Sequence, residues 1–239
     1  MHAVSPDGAR RGEFKLKKSD NKDWEDLASF RLDGEAYLMI ADIGDNNARR
    51  KKRTLYFVRE PLAEPDAKAT TNWEVSYRYP DGPRDAESAA VDVAGGRALI
   101  LSKRDIPPQL YAVPLQAESE NTVVATPLGT ITSLPRPTRQ DVEFAPKTDD
   151  WHWQPVGMDI SDDGLAAVIL TYSAVYYYQR TADQDWVDAF RSRPLRIGIG
   201  NFQNAEAVAF ADDARTVVVT GENRHALLIS VDLQGVAAP

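Results

Sequence analysis

The 239-residue chain contains no cysteine, which excludes disulfides, thiolate metal sites and cysteine nucleophiles. Basic residues are also scarce, because 28 Lys and Arg stand against 36 Asp and Glu and give a formal net charge of −8. Nucleic acids and anionic lipids attract an excess of positive charge, so this balance disfavours both. We therefore expect no nucleic-acid partner and look instead to cations, small molecules or proteins.

Long apolar runs are missing as well. No stretch approaches the roughly 18 apolar residues of a membrane span, and residues 1–12 lack the apolar core of a signal peptide. The sequence thus predicts no membrane span and shows no leader. As a separate expectation, the protein is a monomer. GxSxG, HExxH, P-loop and GxGxxG motifs are absent too, which leaves the common hydrolase and nucleotide-binding chemistries without support.

Short runs rich in β-branched and aromatic residues recur from end to end, such as EAYLMIADI, RALILSKR and TVVVTGEN. Asp-Gly turn signals separate them at residues 5–8, 32–35, 81–84 and 161–164. Because nothing long shows helical periodicity, the pattern predicts an all-β protein.

The runs repeat in a fixed order: an acid-bearing strand, a turn, a strongly apolar strand, a third strand and an outer strand. Four-stranded repeats of about 40–50 residues predict a β-propeller. We expect about five four-stranded blades in a single domain over 1–239, incomplete at the N-terminus. The predicted parts are the outer strands of a partial blade at 1–18, blade units at 19–80, 81–131, 156–200 and 201–233, and a long loop at 132–155.

Superposing the repeats places four acids at one position, where the innermost strand begins: Glu25, Glu87, Asp159 and Glu206. Innermost strands line the channel of a propeller, so the four carboxylates are expected to converge there. Like charges held close together need a compensating cation, and an all-oxygen site favours Ca²⁺. The alternative is that these acids accept hydrogen bonds from strand N–H groups and bind no metal.

A second ring of polar residues follows the apolar strands and is predicted to bind a ligand: Asp42, Asp45, Asn46, Lys103, Arg104, Tyr172, Glu222 and Asn223. The alternative is that these residues form turns or pair their opposite charges with one another. The basic run at 48–53 is predicted to be a solvated loop.

The segments DWEDLA, ADIGDN, YPDGPRDAES, ISDDG and NAEAVA, in that order, resemble a family of bacterial β-propeller proteins that are often secreted or lipid-anchored. That resemblance implies an extracytoplasmic location, secreted or periplasmic, and a strand pair ahead of residue 1. More distantly, the acid-bearing inner strands are similar to the calcium-dependent propellers of the gluconolactonase, paraoxonase and strictosidine synthase superfamily, and to the SdiA-regulated propellers. In the lactonase group acids and asparagines hold a channel calcium, which implies the same role for the four acids at the strand starts.

Together these patterns predict a propeller that binds a small molecule or a protein at one face and holds Ca²⁺ in a carboxylate-lined channel. The alternative is a calcium-dependent hydrolase of lactones or phosphate esters, in which the metal polarises an oxygen. A third possibility is an interaction scaffold without metal.

Overall fold

The computed structural model is an all-β chain arranged as a β-propeller, which confirms the predicted fold class. It describes residues 1–5, 7–62, 68–118, 121–136, 138–144, 153–200, 202, 204–211, 214–222 and 226–233. Four sheets of three to five strands serve as blades in this part of the chain. No helix within the described residues is long and apolar enough to cross a membrane.

The first two blades come from residues 24–130. Blade 1 is a five-stranded sheet whose members, from the channel outward, are β4 (Trp24–Leu32), β5 (Glu35–Asp42), β6 (Arg53–Arg59), β8 (Trp73–Arg78) and β12 (Val123–Val124). Blade 2 contains β9 (Ala86–Asp92), β10 (Arg97–Ser102), β11 (Gln109–Pro114) and β13 (Thr126–Thr130).

The last two blades follow residue 154. Blade 3 contains β14 (Pro155–Ile160), β15 (Ala166–Thr171), β16 (Ala174–Gln179) and β17 (Leu195–Gly198). Blade 4 contains β18 (Ala205–Phe210), β19 (Thr216–Gly221) and β20 (Ile229–Asp232). Two short helices, α1 (Arg139–Phe144) and α2 (Trp186–Ala189), lie in connections.

Two small sheets cover the outer part of blade 1. β1 (His2–Val4) pairs with β2 (Arg10–Glu13) in an antiparallel sheet, and β3 (Lys15–Lys17) pairs with β7 (Lys68–Thr70) in a parallel one. Phe14 and Leu16 pack with Tyr56 and Val58 of β6 in a separate apolar cluster. The N-terminal residues are thereby attached to one face of blade 1.

Apolar alternation along the inner strands explains how the blades stack. Side chains on the two faces of a strand point in opposite directions. The side chains on one face of a blade therefore pack against the preceding blade, and those on the other face pack against the following blade. Within blade 1, for example, Met39 faces blade 2 while Ile40 faces the N-terminal segment. Three clusters result, between blades 1 and 2, 2 and 3, and 3 and 4. These clusters fix the order of the inner strands around the channel.

Each inner strand carries a β-bulge near its start. In β4 the extra residue is Glu25, because Trp24 pairs with Asp42 and Asp26 pairs with Ala41. A bulge puts two residues opposite one and re-aims the extra side chain. The corresponding extra residues are Glu87 in β9, Val156 in β14 and Glu206 in β18.

Candidate ligand site at one end of the channel

Three glutamates occupy the bulges at the start of the inner strands. Glu25, Glu87 and Glu206 are therefore structurally equivalent, as the sequence predicted for them. All three lie at the same end of the channel. The charge of Glu87 raises the pKa of both Glu25 and Glu206, so the three carboxyls belong to one electrostatic cluster.

Lys103 supplies the cation in direct contact with this cluster. It directly follows β10, and its ammonium Nζ lies 2.6 Å from Glu87 Oε1, with both side chains almost fully buried. The same Nζ donates to the Tyr172 hydroxyl at 3.0 Å, and that hydroxyl donates to Glu206 Oε1 at 3.1 Å. A continuous polar chain thus runs across blades 2, 3 and 4, from Glu87 to Glu206.

Lys103, Tyr172 and Glu222 occupy equivalent positions in blades 2, 3 and 4. Each directly follows the second-strand residue that pairs with the inner-strand residue just before the bulge. The corresponding residue of blade 1 is the buried Ile43. The sequence therefore places a cation, a hydroxyl and an acid at the same level of three neighbouring blades. Glu222 is exposed at this level, and Asn223, also predicted as a ligand residue, lies outside the described residues.

The carboxyls of the cluster hold their protons more tightly than free glutamate does. Burial, together with the charges of Glu87, Asp23 and Asp85, raises the pKa of Glu25 to about 9. Burial and the charge of Glu87 raise the pKa of Glu206 to about 7. Burial also raises the pKa of Glu87, although the neighbouring Lys103 opposes the shift. One ammonium is thus shared by three acids, and Glu25 is protonated at neutral pH.

Gly44 leaves space for this arrangement in the turn after β5. A Cβ at residue 44 would overlap the carboxyls of Glu25 and Asp23. Within the described part of the chain, the buried Glu87 Oε2 has no hydrogen-bond partner. A buried acceptor without a partner is costly, so this oxygen is open to a donor from a ligand.

The predicted equivalence of Asp159 with the three glutamates is wrong. The bulge residue of blade 3 is Val156, and Asp159 lies three residues further along β14, where it pairs with Val168. Its Oδ2 accepts from the Phe210 N–H at 2.8 Å and its Oδ1 from the Ile160 N–H at 2.9 Å. Burial raises the pKa of Asp159 to about 7, against these hydrogen bonds. The alternative stated for the acids, bonding to strand N–H groups, describes this residue.

Asp26 has the same role and was missed in the sequence. Its Oδ2 accepts from the N–H groups of Ala89, at 2.8 Å, and Met158, at 3.1 Å. One carboxyl of β4 thereby connects the inner strands of three blades, and burial raises its pKa well above the ordinary value. The signal was present, since Asp26 directly follows the recognised Glu25 in DWED.

Two acids of the predicted ligand ring are engaged by the basic run instead. Asp42 Oδ1 lies 2.6 Å from Arg50 Nη2, and Asp45 Oδ2 lies 2.5 Å from Arg53 Nη2. Arg53 is almost fully buried, so the prediction of a wholly solvated loop at 48–53 is wrong, although Lys51 and Lys52 are exposed. Asp42 and Asp45 therefore hold this loop against blade 1.

Arg104 and Asn46 connect the first two blades. Arg104 Nε donates to Asp85 Oδ2 at 2.7 Å, and its Nη2 donates to Asn46 Oδ1. Asp85 also accepts from the Asp45 N–H at 2.9 Å. The alternative, that the ring residues pair among themselves or form turns, thus fits Asp45, Asn46 and Arg104. Lys103 and Tyr172 are the members that face the glutamates.

These contacts also bear on the fit of calcium. Carboxylates from several strands have the right donor chemistry, but the described residues contain no group of three His, Cys, Asp or Glu placed to hold a metal ion. Calcium is bound by six to eight oxygen atoms. Lys103 pairs with one carboxylate oxygen of Glu87, so that only the other oxygen of this residue is left without a partner among the described residues. As arranged, the site fits a hydrogen-bond donor better than a resident Ca²⁺.

Comparison with known proteins yields no family. No protein-family model matches the chain, and no curated protein matches it. The predicted membership of a bacterial propeller family therefore stays a prediction.

Among solved structures, the chain is similar to hydrazine synthase of Kuenenia stuttgartiensis, with 15% identity over 91% of this chain and 48% of that one and a TM-score of 0.41. It is similar to a gluconolactonase of Xanthomonas campestris, with 12% identity over 81% and 68% and a TM-score of 0.41. It is also similar to a Bacteroides uniformis protein proposed to be a 6-phosphogluconolactonase, with 13% identity over 91% and 58% and a TM-score of 0.40. The chain spans about half the length of the first of these proteins. Likenesses this weak carry no argument about function.

Proposed function

We propose that this propeller is a binding protein whose ligand presents a positively charged or N–H donor group to Glu25, Glu87 and Glu206. The observation that carries the proposal is the buried Glu87 Oε2, which has no hydrogen-bond partner among the described residues although it sits beside an ion pair. A donor placed there satisfies this oxygen. A positive charge also relieves the repulsion that raises the pKa of Glu25 and of Glu206.

The site has a rigid base for this task. Lys103 is fixed between Glu87 and Tyr172, and the bulges of β4, β9 and β18 set the directions of the three carboxyls. Binding therefore requires little ordering of the protein. A ligand cation displaces the proton of Glu25, so binding is expected to release protons at neutral pH and to strengthen as pH rises toward 9.

Thermal unfolding with added ligand tests the proposal, because a ligand bound only by the native state raises the melting temperature. The panel contains primary amines, guanidines and CaCl₂. We expect a rise with at least one amine or guanidine that is lost in Glu87→Gln. The matched control is Glu118→Gln, which makes the same change at an exposed residue outside the site. Equal rises in both variants would contradict the proposal.

Calcium stays a second candidate on sequence grounds, and the CaCl₂ arm tests it. A rise with Ca²⁺ alone, lost in Glu87→Gln, would favour the metal site. It would also justify assaying lactones and phosphate esters for the hydrolase alternative. No response to Ca²⁺ would remove both.

A further inference from the structure

One gap between neighbouring blades is open. Apolar clusters fill the interfaces between blades 1 and 2, 2 and 3, and 3 and 4, whereas a cleft of about 320 Å³ separates the inner strands of blades 4 and 1. Its lining is mainly apolar and includes Met1, Trp24, Leu27, Ile40, Ala209 and Val218. The described residues form no core cluster across it.

The wall on blade 1 repeats a surface that is buried elsewhere. Leu27, two residues past the bulge of β4, is 49% exposed and lines the cleft. The same position in the next three blades is buried: Ala89, Met158 and Val208 are at most 3% exposed. Each of those residues packs against the preceding blade. Leu27 thus belongs to a blade interface that lacks its partner.

The opposite wall shows the same relation. Ala209 of β18 pairs across the sheet with Val218 of β19, and both line the cleft, with Ala209 exposed. The equivalent cross-strand pairs in the other blades are Ala28–Met39, Ala90–Leu99 and Asp159–Val168. The following blade covers each of these pairs. The two walls of the cleft are therefore the same surfaces that pack against each other at the three other blade interfaces, but here they are not covered.

A strand edge borders the cleft. Met1, which leads into β1, contributes to its lining. Within the described chain β1 pairs with β2 alone, so its other edge has backbone N–H and C=O groups without a strand partner. An unpaired edge beside an apolar cleft is a template for strand addition.

We propose that this cleft binds a polypeptide β-hairpin, which forms the inner strand pair of a fifth blade. The hairpin pairs with the free edge of β1 and extends the β1–β2 sheet to four strands. Its two faces alternate as those of β9 and β10 do, and they bury Leu27 on one side and Val218 on the other. A small apolar ligand would fill the cleft but leave the edge of β1 unpaired, which is why the occupant is a strand pair. Glu25 of the proposed ligand site also lines the cleft, but the inference rests on the apolar walls and on the edge of β1, and not on that site.

The test fuses the inner hairpin of blade 2, residues 85–102, ahead of Met1 through a flexible Gly/Ser linker of about ten residues. The fused hairpin is expected to raise the melting temperature of the chain by about 5 °C or more. It is also expected to slow amide hydrogen exchange in β1 and at Leu27. The control is the same fusion in an Ala209→Arg chain. Because Ala209 is exposed, arginine is tolerated there and blocks the cleft.

The outcomes separate cleanly. A rise in the fusion that disappears with Ala209→Arg supports the proposal. No rise, or an equal rise with Ala209→Arg, overturns it. If the unfused chain is a dimer by light scattering and the fusion remains a dimer, the cleft holds a second copy and the proposal is also wrong. The same rise is expected in a Glu87→Gln background, so failure of the ligand site would not affect this result.

Discussion

Lys103 and Glu87 form an ion pair whose side chains are both almost completely buried. Removing one member of such a pair leaves an isolated charge in a poorly solvated place, which is more costly than losing the pair as a whole. The pair also orients Tyr172 toward Glu206. Its integrity is therefore expected to control both stability and the geometry of the site.

We predict that Lys103→Met lowers the free energy of unfolding by about 3 kcal/mol, because it leaves the buried Glu87 carboxyl without its ion-pair partner. Adding Glu87→Gln to that variant should recover a large part of the loss. Urea denaturation of the two single variants and the double variant measures this coupling. Lys51→Met, at an exposed lysine, is the control. A loss below about 0.5 kcal/mol for Lys103→Met, the range of ordinary surface changes, would contradict the account.

The raised pKa values predict how stability depends on pH. The folded state binds protons more tightly than the unfolded state at Glu25, Glu206 and Asp159. Stability must therefore fall as the pH rises from the ordinary pKa of each carboxyl to its raised pKa in the folded state. The raised pKa of Glu206 and of Asp159 makes stability fall up to about pH 7, and that of Glu25 makes it fall up to about pH 9. The raised pKa of Asp26 adds to the same trend. The free energy of unfolding should therefore decrease between pH 7 and 9, by on the order of 1 kcal/mol after solvent screening is allowed for.

Glu25→Gln isolates this effect. Between pH 7 and 9 the variant should lose less stability than the wild type, and it should be more stable than the wild type at pH 9. Urea denaturation at pH 5, 7 and 9 gives the comparison. A wild-type slope that persists in Glu25→Gln would assign the effect to another group.

The inner strands are joined by buried carboxyls as well as by apolar packing. Asp26 of β4 accepts hydrogen bonds from backbone N–H groups of β9 and β14, and Asp159 of β14 accepts one from the N–H of Phe210 in β18. Backbone groups that face the channel thereby gain partners that water would otherwise supply. Together these two residues link the inner strands of all four blades.

We predict that Asp26→Ala costs about 3 kcal/mol, because it leaves the N–H groups of Ala89 and Met158 without acceptors. Asp26→Asn should cost less, since its side-chain oxygen can still accept. Hydrogen exchange gives a local readout. The amides of Ala89 and Met158 should lose protection in Asp26→Ala, whereas that of Phe210, held by Asp159, should not. Uniform loss at all three would indicate general unfolding instead of a local link.

For the chain as a whole, the fold was accessible from the sequence because its signals are local and repeated. Asp-Gly turns and apolar strands recur in register, and a propeller is the architecture that reuses such a unit. The convergence of Glu25, Glu87 and Glu206 followed from the same alignment. Partners on different blades, such as Lys103 with Tyr172 or Arg104 with Asn46, depend on loop paths and side-chain directions that a repeat pattern does not encode.

The error at Asp159 has a specific cause. The bulge residue stands eight or nine positions before the left-handed turn residue of each inner hairpin, as with Glu25 before Gly34 and Val156 before Gly164. Asp159 stands five positions before Gly164 and so belongs to a deeper level of the channel. Counting back from the turn, instead of matching acids, would have identified Val156 and shown that blade 3 has no acid in the ring.

The central claim is that three glutamates share one lysine at the end of the channel, so that Glu25 keeps its proton at neutral pH. Carboxyl carbon NMR of glutamate-labelled protein, titrated from pH 4 to 10 with Glu25→Gln for assignment, measures this directly. We predict that the resonance lost in Glu25→Gln titrates near pH 9. If that resonance titrates near the usual glutamate value of about 4.3, the carboxyls do not form the crowded cluster described and the proposed site is wrong.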